Sequence, residues 1–188
     1  MTTYKIDKVG LVAHYSKQGD WAFSKAFDLA KMQNLQLNIF YFIRSSFDMP
    51  QDKAPKEIQT SDIPEKIIIS EDRRLREYYD DILGDYVDVG FRVCESVRHN
   101  FELRLCLMKQ EFNILFIPYL YKNVPFGNMP IEEFVFRFHA PIVLVGPGSK
   151  NQFYLNPPAR LIVENISLSN KKWHLIEKPE KYQNLAVL

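Results

Sequence analysis

An excess of charge of either sign is missing from this sequence: 24 lysines and arginines stand against 23 aspartates and glutamates, for a net charge of +1. Without a global field to collect a polyanion, neither nucleic acid nor an anionic membrane surface is an expected partner. Cysteine is equally scarce. Cys94 and Cys106 are the two in the chain. They form no CxxC pair and have no metal-spaced histidines beside them, so they read as buried thiols of a reducing cytoplasm. No apolar run approaches the roughly 18 residues needed to span a bilayer. The N-terminus runs straight into a strand-like segment, so the expectation is a cytoplasmic protein, neither secreted nor inserted in a membrane.

Catalytic signatures are missing too. There is no GxSxG elbow, no Walker A sequence and no recognisable pair of catalytic carboxylates. His14, His99, His139 and His174 are scattered without HExxH or His-x-His spacing, so no metal site is expected, and His139 reads as structural. Asp80-Asp81 reads as a solvated helix face. The stretch Asp72 to Glu77 mixes both signs and supports itself through i,i+4 pairs better than it would bind phosphate. The expectation is a protein that is not an enzyme.

What is present is a core. With 46% hydrophobic and 14% aromatic residues in 188, the chain can bury one domain well. Val9 to Ala13 is a short apolar run of the kind buried on both faces of a parallel sheet. Asp20 stands where an N-cap would, ahead of an amphipathic segment with Trp21, Phe23, Phe27 and Ala30. Leu35 to Ile43 reads as a second strand, and Asp48 to Ser70, with Pro50, Pro55 and Pro64, as a long mobile loop. A helix over Glu71 to Leu83 stopping at Gly84, a strand over Tyr86 to Glu95, and a helix capped by Asn100 and running to Lys109 follow. A strand over Asn113 to Ile117, a helix over Ile131 to Phe138 and a fifth strand over Pro141 to Val145 complete the rhythm. Strands and helices alternating in this way define an α/β fold: five parallel strands with helices on both faces. Beyond Gly148 the rhythm breaks. Asn151 to Pro158 reads as a linker, and Arg160 to Ile166 with Lys172 to Glu177 as a β-hairpin, so the domain ends near residue 149 and residues 150–188 form an appendage.

Several segments resemble the universal stress protein family. Lys8-Val-Gly-Leu-Val-Ala-His-Tyr-Ser, followed by Trp21-Ala-Phe-Ser-Lys-Ala-Phe, is similar to the family's opening strand and helix. Phe138-His-Ala-Pro-Ile-Val-Leu-Val-Gly-Pro is similar to the run leading its last helix into its fifth strand. The likeness covers residues 5 to 149. It implies a Rossmann-type sheet of five parallel strands, often paired into a homodimer along the fifth.

Members that bind ATP carry a glycine loop after the fourth strand, because backbone N–H groups must approach phosphate oxygens closely at a helix N-terminus. At the matching positions this chain has Pro118 and Tyr121. Proline has no N–H to offer, and tyrosine adds bulk where the backbone should be bare. Gly127-Asn128 follows Tyr121 too closely to match the spacing and reads as entry into a helix. The aspartate ending the family's first strand is matched by His14. Phe116, Tyr119, Tyr121, Phe126, Phe134, Phe136 and Phe138 crowd the region around the family's ligand cleft and are expected to fill it, the alternative being that they line a pocket for a flat apolar ligand or a partner's side chain.

The functional expectation is a regulatory or scaffold protein of this type. It would act through an unidentified protein partner and as a homodimer through the fifth strand and C-terminal hairpin, with no cofactor. The alternative is a small-ligand sensor. It would bind ATP, another adenine nucleotide or another phosphorylated compound through a remodelled loop at His14, Ile43, Pro118, Tyr121, Gly127 and Asn128, the carboxyl ends of the strands.

Overall fold

The computed structural model describes residues 4–43, 64–95 and 98–180. Strand β1 (Lys8–Val12) leads into helix α1 (Lys17–Gln33). The helix is capped by Ser16 and not, as expected, by Asp20: the Ser16 hydroxyl accepts from the Gly19 N–H at 3.0 Å. Asp20 lies one turn in, where a carboxylate still complements the helix dipole. Asn34, left-handed at φ 54°, ends the helix and returns its N–H to Ala30 and Lys31. Strand β2 (Gln36–Phe42) then runs parallel to β1.

Helix α2 (Glu65–Leu83) begins within the segment expected to be a loop. The physical reason is Pro64, whose carbonyl accepts from Ile67 and Ile68. Proline blocks a helix from passing through it but is well suited to starting one, so the last proline marks a beginning. The expected loop from 48 to 63 lies outside the described residues. Strand β3 (Val89–Cys94), helix α3 (His99–Met108) and strand β4 (Ile114–Pro118) follow. A two-stranded ribbon, β5 (Pro125–Phe126) and β6 (Met129–Pro130), precedes helix α4 (Ile131–Arg137). Strands β7 (Ile142–Val145) and β8 (Phe153–Leu155), helix α5 (Pro157–Arg160) and strand β9 (Trp173–Leu175) complete the order.

The main sheet has seven strands where five were expected, in the order β3-β2-β1-β4-β7-β8-β9. The first five are mutually parallel, β8 is antiparallel to β7, and β9 is parallel to β8. The expected C-terminal hairpin does not form. Residues 161–166 are turns following α5, which starts where the Asn156 side chain accepts from the Ala159 N–H at 3.1 Å and Pro157-Pro158 fill the first helical positions. The expected linker supplies β8, so β7 is flanked on both sides by its own chain.

Side chains alternating along the buried strands form two cores. On one face, Val9, Leu11, Leu37, Ile39 and Val143 pack with α1, α2 and the segment after β8. On the other, Phe40, Phe42, Leu115, Ile117 and Leu144 pack with α3, α4 and the ribbon. Gly10 makes room on the second face: a Cβ there would lie 2.8 Å from Leu115 Cδ1 and 3.0 Å from Phe112. Both cysteines are buried free thiols, as expected, and burial pushes both up; Cys106, also beside Glu111, reaches about 11.

Candidate functional site

β1 is hydrogen-bonded to β2 on one side and β4 on the other, so the order in which successive parallel strands are added reverses at β1. Open α/β sheets place ligands at that point, outside the carboxyl ends of the strands. His14, Ile43 and Pro118 leave β1, β2 and β4 there. His14 Nδ1 lies 2.7 Å from Ser16 Oγ, the same oxygen that caps α1, so the histidine is tied to the helix N-terminus. Gly19 packs this turn against the strand end: a Cβ would fall 1.8 Å from the His14 carbonyl oxygen, which no side chain can do. Ile43 is buried, and its N–H donates to the Cys94 carbonyl at 3.0 Å. Pro118 is buried as the last residue of β4. Gly146, at φ 119°, brings the end of β7 so close to the Tyr119 carbonyl that a Cβ would lie 2.6 Å from it.

Gly127 and Asn128 have another role than the expected helix entry. They are the two-residue turn of the β5–β6 ribbon, and both turn types that suit such ribbons need a positive φ at the first position; Gly127 has φ 66°. Helix α4 starts later, after Pro130. The ribbon sets Phe126 fully inside, its ring 4.7 Å from those of His99 and Phe134 and 6.5 Å from Phe42. Of the seven aromatics expected to fill the cleft, Phe116, Tyr119, Phe126, Phe134 and Phe138 are buried. Phe136 is half-buried and Tyr121 is 37% exposed.

Sequence reasoning missed Glu132, in the first turn of α4. Its Oε1 accepts from the Asn123 N–H at 2.9 Å and from the Tyr119 hydroxyl. Glu132 Oε2 is buried with no hydrogen-bond partner among the described residues. The loop following β4 thus aims a backbone N–H and a hydroxyl, next to a helix N-terminus, at a carboxylate of its own chain. Burial and this hydrogen bond drive the Tyr119 hydroxyl well above the usual tyrosine range. The Glu132-Glu133 pair at the start of a predicted helix was the signal available, and it reads only as dipole complementarity.

A second group lies on the α2 side. The Tyr15 ring packs 5.1 Å from Tyr41 and 4.8 Å from Tyr78, and the Arg74 guanidinium sits 4.4 Å over its face. Tyr78 donates to Asp20 at 2.6 Å, tying α2 to the first turn of α1; burial and this bond push its hydroxyl up to about 12. Tyr79, fully buried, stacks on Phe23 at 4.4 Å. The expected i,i+4 pairing of the arginine stretch is present in Arg76–Asp72 at 2.8 Å. Among the described residues no group of His, Cys, Asp or Glu could hold a metal ion, and no helix is long and apolar enough to cross a membrane.

The fold is an α/β architecture with a mostly parallel central sheet, and its likeness is to universal stress protein structures. A crystal structure of a universal stress protein family member from Burkholderia pseudomallei superposes with a TM-score of 0.52 at 14% identity, over 75% of this chain and 96% of that one. A crystal structure of the hypothetical protein PH0823 aligns over 73% of this chain and 94% of that one at 12% identity, with a TM-score of 0.46. No family model matches the sequence, and no curated protein matches it.

Proposed function

We propose that this is a universal stress protein-like regulatory or scaffold protein that acts by binding a protein partner and does not hold ATP in the ordinary way. The observation that carries the reading is Glu132. Backbone N–H groups of the loop after the fourth parallel strand and the N-terminus of the following helix make a natural anion site. Here a donor of that loop already bonds a resident carboxylate, and a phosphate entering beside it would meet like charge at close range. Pro118 contributes no N–H, and Phe126 occupies the interior beside Phe42. Buried rings and an internal anion therefore stand in for what a nucleotide would supply.

The reading includes a homodimer. The edge expected for it, along residues 141–145, is taken by β8, so the strand with an open side at this end of the sheet, among the described residues, is β9. Equilibrium dialysis with labelled ATP and Mg²⁺, read together with amide shifts at residues 119–128, tests the nucleotide part: no label held at those residues is expected, and stoichiometric retention that shifts them overturns it. Light scattering behind a sizing column tests the dimer, for which twice the 22.2 kDa chain mass is expected.

A further inference from the structure

At the opposite end of the sheet, where β7 begins, Arg104 of α3, Phe136 and Arg137 of α4, His139, and Pro157 and Pro158 of α5 line a cleft of about 610 Å³. We propose that this cleft binds a small phosphorylated ligand. The inference goes beyond the partner-binding function above and does not depend on it.

The volume is that of small-ligand sites in general. Its chemistry is one-sided, although the chain as a whole carries a net charge of only +1. Two guanidinium groups and an exposed imidazole reach the cleft from three separate segments. One acid accompanies them: Glu133, buried, pairs with Arg137 at 3.2 Å across one helical turn. Arg104 is exposed and has no acidic partner among the described residues. A planar guanidinium with open donors matches phosphate in a way a point charge does not. The two prolines contribute no N–H to the cleft. The proline rings and the Phe136 ring leave flat apolar walls suited to the ring of a sugar phosphate.

The wall is built rigidly, which lowers the cost of binding. Asn156, fully buried, donates to the carbonyls of Val135, Phe138 and Ala140 at 3.3, 3.3 and 2.9 Å. Its Oδ1 accepts from Ile142 and Ala159 at 2.9 and 3.1 Å. One side chain thus pins the end of α4, both neighbours of His139, the start of β7 and α5. Reading residues 151–158 as a linker and His139 as structural hid this arrangement.

The test is a ¹⁵N-resolved NMR titration of the full chain with ribose 5-phosphate and with inorganic pyrophosphate, against sulfate at matched ionic strength. Saturable shifts around residues 136–140 and 159–160 are expected with both probes and not with sulfate. The Arg104→Gln variant, which leaves the Arg137–Glu133 pair and the Asn156 bonds intact, should bind roughly tenfold more weakly, as expected for loss of a charge-assisted hydrogen bond. A double variant, Arg104→Gln with His139→Gln, should not saturate. The proposal is overturned by no saturable shifts, by equal shifts with sulfate, or by an Arg104→Gln titration superposing on the parent. Shifts confined to residues 119–128 would overturn it as well, and would count instead against the lost phosphate loop.

Discussion

Asn156 makes five hydrogen-bond contacts from a fully buried side chain, its two N–H groups shared among three carbonyls and its oxygen accepting from two N–H groups. Replacing it with alanine leaves several of them buried and unpaired, so Asn156→Ala should destabilise by about 2–4 kcal/mol, read from the urea midpoint at unchanged slope. A loss below half a kilocalorie would mean that the groups repair themselves with water. Glu132→Ala should cost about 1–3 kcal/mol, because the Asn123 N–H and the Tyr119 hydroxyl lose their acceptor. Neither residue stood out in the sequence. His14, Ile43 and Pro118 were legible as strand ends because apolar runs stop there. The partners of Glu132 lie 9 and 13 positions upstream in a loop, and no periodicity reports such pairs. Asn156 looked like one more polar residue in a proline-rich stretch, since its bonds go to carbonyls up to 21 residues away.

At the scale of elements, α1 and α2 are joined through tyrosines whose hydroxyls ionise late. Burial and the bond to Asp20 push the Tyr78 hydroxyl from 10.0 up to about 12. Tyr15, Tyr79 and Tyr119 are displaced in the same direction by burial. Above pH 10 the unfolded chain therefore loses protons that the folded chain keeps, and stability present below that pH is lost as pH rises toward 12. Cys106, raised from 9.0 to about 11, starts the decline near pH 9. The urea midpoint should be level between pH 7 and 8.5 and fall steadily from pH 9 to 11; a flat profile across that window would show that these groups are not protected as described. Strand β9 bears on assembly. Ile176 and, by alternation, His174 direct their N–H groups to β8, so Trp173 and Leu175 direct theirs outward. Leu175→Pro removes an outward donor at a sheet edge, which proline tolerates, and should give a folded monomer at half the mass of the proposed parent dimer. A dimer that persists would move the interface elsewhere. The five parallel strands could be read from the sequence because each is an apolar or alternating run between helix patterns. β8 and β9 are three residues each, too short to show a period, and so the seven-stranded sheet was out of reach.

Across the whole molecule, rings buried around Phe126 and the Glu132 carboxylate, bonded to the loop after β4, lie toward the sheet's carboxyl end within a fold like that of universal stress proteins. Phe126→Ala empties the centre of that ring cluster and should cost about 3–5 kcal/mol. The most direct test of the account is thermal unfolding of the parent protein with and without ATP and Mg²⁺. A ligand held by the native state at a hundred times its Kd adds about 2.7 kcal/mol, a rise in Tm of about 5–10 °C for a chain of this size. The account predicts that any rise at millimolar ATP disappears with Arg104→Gln and His139→Gln in place; a saturable rise of that size that persists in that double variant would contradict it and show that the loop around Glu132 receives a nucleotide.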